Sequence, residues 1–140
     1  MKARVKWLDG LQFVGINERA SAVVMDGLPE VGGEGVGIKP TELLLISLAG
    51  CTAMDVISVM KKKRQDVQDF TVEIQGTQRE GFPKSFDEIK MVYRIKGNDI
   101  DEGALKRSIE LSEEKYCSVR ATILALPEET RITYTYEIEQ

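Results

Sequence analysis

The chain carries two cysteines and no histidine, which narrows the available chemistry at once. Without an imidazole there is no Ser–His or Cys–His pair to activate a nucleophile, and most zinc sites lose a usual ligand. Thiol chemistry remains, at Cys51 and Cys117. Cys51 lies in KPTELLLISLAGCTAMDVISVMKKKR, from Lys39 to Arg64, where Ser47, Cys51, Asp55 and Ser58 follow at intervals of four, four and three. On a helix that spacing puts all four on one face. An otherwise apolar segment therefore carries one polar stripe with a thiol in its middle. Two readings stand side by side: a reactive thiol, or a small buried hydrophobe flanked by hydroxyls that bond back to helix carbonyls. A metal held by the two thiols would need Asp55 and Glu42 to complete its shell. No metal and no cofactor are therefore expected.

The elements that position these residues begin with the long helix. Pro40 suits a first helical turn, and the basic run Lys61–Arg64 complements the negative end of the helix dipole. Between them the segment is apolar almost all round, which fits burial in a core, a membrane or a subunit interface. Leu43 to Met60 is long enough to span a bilayer, but Asp55, Ser47, Thr52 and Ser58 argue against that, so no membrane association is expected. One sheet face covers roughly half of a helix, and the remainder calls for a second copy of the chain. The expectation is an obligate homodimer with this helix near its interface.

At 140 residues the chain suffices for one domain, 1–140, with a core of its own. A hydrophobic content of 42% and a charged content of 30% describe a soluble globular protein. The net charge of −4 supplies no broad basic field, which excludes nucleic acid as an expected partner. The opening MKARVKWLDG lacks the apolar core of a signal peptide. Two cysteines without an export signal point to a reducing cytoplasm, where thiols are more often catalytic or inert than bridged.

Taken in order, residues 3–8 alternate as a strand, Asp9-Gly10 turns, and Leu11–Asn17 with Ala20–Met25 give further strands of an antiparallel meander. Leu28–Lys39, with its glycines and Pro29, reads as a loop feeding the long helix; it suits a functional or interface loop and a plain connector equally. Phe70–Gln75 and Ile89–Ile95 alternate on either side of the turn-rich Arg79–Ser85, so they form a hairpin with one buried face. Asp99 or Asp101 caps a second helix that runs to about Lys115. Val119–Leu126 is a strand or a short helix, Pro127-Glu128 turns the chain, and Ile132–Ile138 alternate as a last strand. The order is α+β, with antiparallel sheet and helices packed on it.

The block GIKPTELLLISLAGCTAMDV, followed 66 residues after Cys51 by YCSV, resembles the OsmC/Ohr family of osmotically inducible and organic hydroperoxide resistance proteins. PxELLLxxLAGCTAMDV is most similar to its YhfA-like branch. The resemblance spans essentially the whole chain and implies antiparallel sheets around a long buried central helix, in an intertwined homodimer with active sites at the subunit interface. It also implies a thiol-dependent peroxidase acting on organic hydroperoxides. Cys51 would be the peroxidatic thiol that becomes a sulfenic acid, and Cys117 the resolving thiol that condenses with it to a disulfide, reopened by a dithiol reductant. Leucine and methionine side chains around a buried sulfur would favour an alkyl peroxide over hydrogen peroxide. Cys51 lies about eleven residues into its helix, beyond the reach of the N-terminal dipole, so its thiolate needs a positive partner. The well-studied members use an arginine paired to a glutamate directly after the helix proline. Here Thr41 holds that position and Glu42 follows, and Arg19 and Lys39 are the basic residues that can take the arginine's part. The alternative implied function is a stress-associated or small-molecule-binding protein that keeps the pocket without efficient peroxidase turnover.

Overall fold

The computed structural model describes residues 1–124, and the expected turn at Pro127-Glu128 and strand Ile132–Ile138 lie outside them. The chain divides into two compact units. The first comprises Met1–Ala49 with Val72–Tyr93; the second comprises Gly50–Thr71 with the chain from Arg94 onward.

In the first unit, β1 (Ala3–Asp9), β2 (Gln12–Asn17) and β3 (Ala22–Met25) form a three-stranded antiparallel meander in sequence order. The register sets Trp7 opposite Phe13 and Phe13 opposite Met25, with Val5 opposite Gly15 and Gly15 opposite Val23. These residues share a face because side chains alternate along a strand. Val5, Leu11, Phe13 and Met25, with Pro40 beside them, wall an apolar groove of about 520 Å³. Gly15 sits among them because a Cβ there would meet the Met25 and Val23 side chains at 3.3 and 3.4 Å.

Asp26 organises the loop between β3 and the long helix. It is buried, and its carboxylate accepts hydrogen bonds from the amides of Gly27 (2.7 Å), Glu34 (3.1 Å) and Val36 (3.2 Å). Burial alone would raise its pKa, but the amides of Val36, Gly27, Glu34 and Gly35 outweigh it and hold the carboxyl below its usual range. A carboxylate depressed in the fold stabilises it above the ordinary aspartate value of about 3.9, and that contribution is lost as pH falls through the folded value. Denaturation from about pH 7 to about pH 2 should therefore show a shallower acid loss of stability in Asp26→Asn than in the unaltered protein, the two curves converging at the acid end. Equal slopes would show that the amides hold the charge no better than water does.

The long helix α1 runs from Pro40 to Lys62. It ends where Arg64 takes a left-handed φ of 57°, with the Gln65 amide reaching back to the Met60 carbonyl and the Arg64 amide to that of Lys61. This is the six-residue closure most often built on glycine. Strands β4 (Asp66–Gln78) and β5 (Phe86–Asn98) pair as the expected hairpin, closed at its turn by the Arg79 amide on the Ser85 carbonyl. Gly76 leaves room for the Phe86 ring, 2.5 Å from where a Cβ would stand.

Helix α2 (Glu102–Leu111) starts on Asp101, whose carboxylate accepts from the Gly103 amide at 2.9 Å. A π-helical turn, Ser112–Tyr116, follows, and then a third helix, α3 (Ser118–Leu124). The segment open to a strand or a helix is thus helical over its described part. Ala104, Ser108 and Ser112 are buried at intervals of four, and so are Thr52, Val56 and Met60 on α1. Two bonds tie the stripes together: Lys63 Nζ donates to the Ala104 carbonyl at 3.3 Å, and Ser112 Oγ lies 3.0 Å from Thr52 Oγ1. The end of α1 therefore meets the start of α2, so the helices run antiparallel, and small side chains on α2 let them approach closely.

Candidate active site

Within the second unit, α1 presents Cys51 and Asp55, one turn apart, to the chain that leaves α2. The Cys51 sulfur, the Cys117 sulfur and a carboxylate oxygen of Asp55 all lie within 4.8 Å of one another. No disulfide links the thiols; Cys51 is half-buried, and Cys117 is buried with 4% of its surface exposed. Ser112 fixes the carboxylate, its fully buried hydroxyl donating to Asp55 Oδ2 at 2.9 Å. The π-helical turn makes this possible. One extra residue per turn carries the chain from Ser112, over α1, to Cys117, whose amide donates to the Ser112 carbonyl at 2.9 Å.

Burial pushes the Cys117 thiol above its usual pKa. The Arg120 amide, 3.4 Å from its sulfur, pulls the other way, while Cys51 and Asp55 add to the rise. Among the described residues that act on this thiol, only that amide favours the thiolate. The Arg120 guanidinium donates to the Glu113 carbonyl at 2.9 Å. Two thiols and a carboxylate would offer three donors to a thiophilic cation, with the fourth position left to solvent.

Of the polar stripe, Cys51 and Asp55 join this cluster, whereas Ser47 bonds back to the Leu44 carbonyl at 2.8 Å, as the hydroxyl reading expects. Spacing alone gave no sign of Ser112, Thr52 or Arg120. Only the buried alternation Ala104, Ser108, Ser112 hinted that Ser112 faces inward. Lys39 and Glu42 close on each other: their side chains are 3.3 Å apart, and the Lys39 amide donates to Glu42 Oε2 at 3.0 Å. That amide, ahead of the Lys39 side chain, holds the Glu42 carboxyl below its usual range. Arg19 is exposed in the turn between β2 and β3, its amide donating to Asn17 Oδ1 at 2.9 Å. All three belong to the first unit, and the cysteine cluster to the second.

A profile of OsmC-like proteins matches residues 32–132, a stretch that contains both cysteines. The chain belongs to this family. Protein YhfA of Escherichia coli (strain K12) is 38% identical over 138 residues, spanning 99% of this chain and 98% of that protein. A hypothetical protein from Aquifex aeolicus VF5 has the same fold, with a TM-score of 0.77 at 33% identity, covering 88% of this chain and 86% of that one. An organic hydroperoxide resistance protein OsmC from Legionella pneumophila aligns with a TM-score of 0.65 at 16% identity, covering 87% of each chain. At that identity the likeness concerns the OsmC-like fold alone: mixed α and β, antiparallel sheets and a long central helix.

Proposed function

We propose that the protein is a thiol-dependent peroxidase that reduces organic hydroperoxides. Cys51, as thiolate, attacks the O–O bond; the alcohol leaves, and Cys51 becomes a sulfenic acid. Cys117 attacks that sulfur, water leaves, and the disulfide formed is reopened by a dithiol reductant. The carrying observation is the pairing of a half-buried and a buried thiol whose sulfurs lie within 4.8 Å. The reaction requires that gap to close to the roughly 2.05 Å of an S–S bond. The name of the Legionella pneumophila relative, organic hydroperoxide resistance protein OsmC, supports the substrate class. No cofactor or metal takes part. Lys39, Glu42 and Arg19 are the supporting charges, and the working compartment is a reducing cytoplasm. A single domain, 1–140, is part of this reading, and the course of α1, β4 and β5, each with residues in both units, supports it.

The working form is a homodimer. Only 28% of the apolar stretch of α1 is buried within the chain, although its mean hydropathy is 2.0. Leu44, Ile46 and Met54 on α1, and Val5 and Trp7 on β1, are exposed. A second copy of the chain gives these surfaces an apolar partner.

Intact-mass analysis of the reduced protein after one equivalent of cumene hydroperoxide tests the reading. The expected result is a loss of two hydrogens, with both thiols closed to alkylation. Unchanged mass, with both thiols still alkylatable after unfolding, would overturn it. One observation favours a second reading, a pocket that binds a small apolar molecule without turnover: among the described residues, burial and then Cys51 and Asp55 raise the pKa of Cys117, and no cation lowers it.

A further inference from the structure

Peroxide reduction by the two thiols makes no use of Asp55, which nonetheless lies within 4.8 Å of both sulfurs and is anchored by Ser112. We propose that Asp55 is the proton relay of the resolving step, taking the proton of Cys117 Sγ and handing it to the oxygen that leaves Cys51. The inference rests on the peroxidase reading and deepens it.

The step balances as follows. The Cys117 sulfur attacks the sulfur of the Cys51 sulfenic acid, the S–S bond forms and the S–O bond breaks. The Cys117 sulfur is oxidised and the sulfenic sulfur reduced, while the S–H proton passes through the carboxylate to the departing oxygen, which leaves as water. The step has two difficulties, because a thiol is a weak nucleophile and hydroxide a poor leaving group. Moving one proton answers both.

Geometry puts the carboxylate where this proton must travel. An Asp55 oxygen is within 4.8 Å of both sulfurs, a distance that one rotamer change or one water closes to hydrogen-bond length. Ser112 holds the group by Oδ2, and a carboxylate has a second oxygen to carry a proton. Cys51 and Asp55 from α1 and the Arg120 amide from α3 face Cys117, and the Arg120 guanidinium is turned to the Glu113 carbonyl. Burial pushes the Cys117 thiol above its usual pKa, which favours a proton on sulfur when attack begins. Without a relay, resolution would wait on hydroxide and quicken about tenfold per pH unit.

Asp55→Asn keeps an acceptor for Ser112 and removes the proton-carrying group. After one equivalent of cumene hydroperoxide, rapid quenching from about pH 6 to about pH 9 would follow sulfenic acid by dimedone trapping and disulfide by mass. In the unaltered protein, disulfide formation is expected to be nearly flat with pH. In Asp55→Asn it is expected to fall at least about tenfold at neutral pH and to rise about tenfold per pH unit. Asp55→Glu should restore the flat profile, which a merely structural role would not. Equal rates and profiles in Asp55→Asn and the unaltered protein overturn the relay while leaving the peroxidase standing. Formation of neither sulfenic acid nor disulfide in the unaltered protein sinks both. Should Asp55→Asn fail to fold, the unaltered protein decides: slowing of resolution by about twofold or more in heavy water supports a proton in flight, and no slowing overturns it.

Discussion

Cys51→Ser is expected to reduce cumene hydroperoxide consumption to the uncatalysed background, a fall of at least about 1,000-fold. A serine hydroxyl at that site stays protonated at neutral pH, and no histidine exists in the chain to take its proton. Cys117→Ser should behave differently. Its first equivalent of peroxide is still consumed, the mass rises by one oxygen, and the sulfenic acid persists long enough to be trapped before further oxidation stops the enzyme. Serine at 117 can still accept from the Arg120 amide that now points at the sulfur, so the local turn survives the change. Steady-state turnover with a dithiol reductant, run beside a single-turnover mass assay, separates the two variants. If both consume peroxide as the unaltered protein does, neither thiol is the nucleophile; if the unaltered protein consumes none, the binding reading takes its place.

Gly33→Ala is expected to give the largest loss of stability of any single methyl added to the first unit. A Cβ at Gly33 would overlap the Gly27 carbonyl group and Cα, all of them backbone atoms that no rotamer change can move. The same carbonyl accepts from the Gly35 amide at 3.1 Å, so displacing it also loosens the turn whose amides surround Asp26. Overpacking of this kind costs about 3 kcal/mol, which for a chain of this size lowers Tm by roughly 10 °C. Gly81→Ala is the comparator. It has the left-handed φ of 80° but open space around it, so it should lose only about 1 kcal/mol, the cost of that backbone conformation. Thermal unfolding followed by circular dichroism would measure both, and equal shifts would show that the loop opens freely around Gly33.

Much of this fold was legible because its signals are local. Pro40 and the basic run bounded α1 to within two residues, and alternating Val72, Ile74, Met91 and Tyr93 marked the hairpin strands. Asp101 announced the start of α2, since a capping carboxylate needs only the amides that follow it. The thiol and carboxylate of α1 were legible as a pair because one helical turn separates them. What faces them was not legible from spacing, and Cys117 entered only through the family resemblance. Bringing Ser112 and Cys117 over that pair depends on a π-helical turn, whose period differs from the one by which amphipathic helices are read. Asp26 was equally silent: its partners are main-chain amides, which any residue can supply. Lys39 and Glu42 were legible as charges near the helix start, but their spacing of three also lets them satisfy each other.

The apolar breadth of α1 reaches beyond the folded state. As the chain is made, this helix emerges before β4, β5 and α2 exist to meet it, and by length and hydropathy it resembles a segment destined for a bilayer. Each leucine, isoleucine or valine at such a segment's centre favours insertion by about 0.3 to 0.6 kcal/mol, whereas one aspartate opposes it by about 2.5 to 3.5 kcal/mol. Asp55 thus offsets most of the pull of Leu43, Leu44, Leu45, Ile46, Leu48, Val56, Ile57 and Val59, about 2.4 to 4.8 kcal/mol in all, before any tertiary contact has formed. The carboxylate that in the fold lies within 4.8 Å of two sulfurs also lowers the tendency of the nascent helix to enter a bilayer.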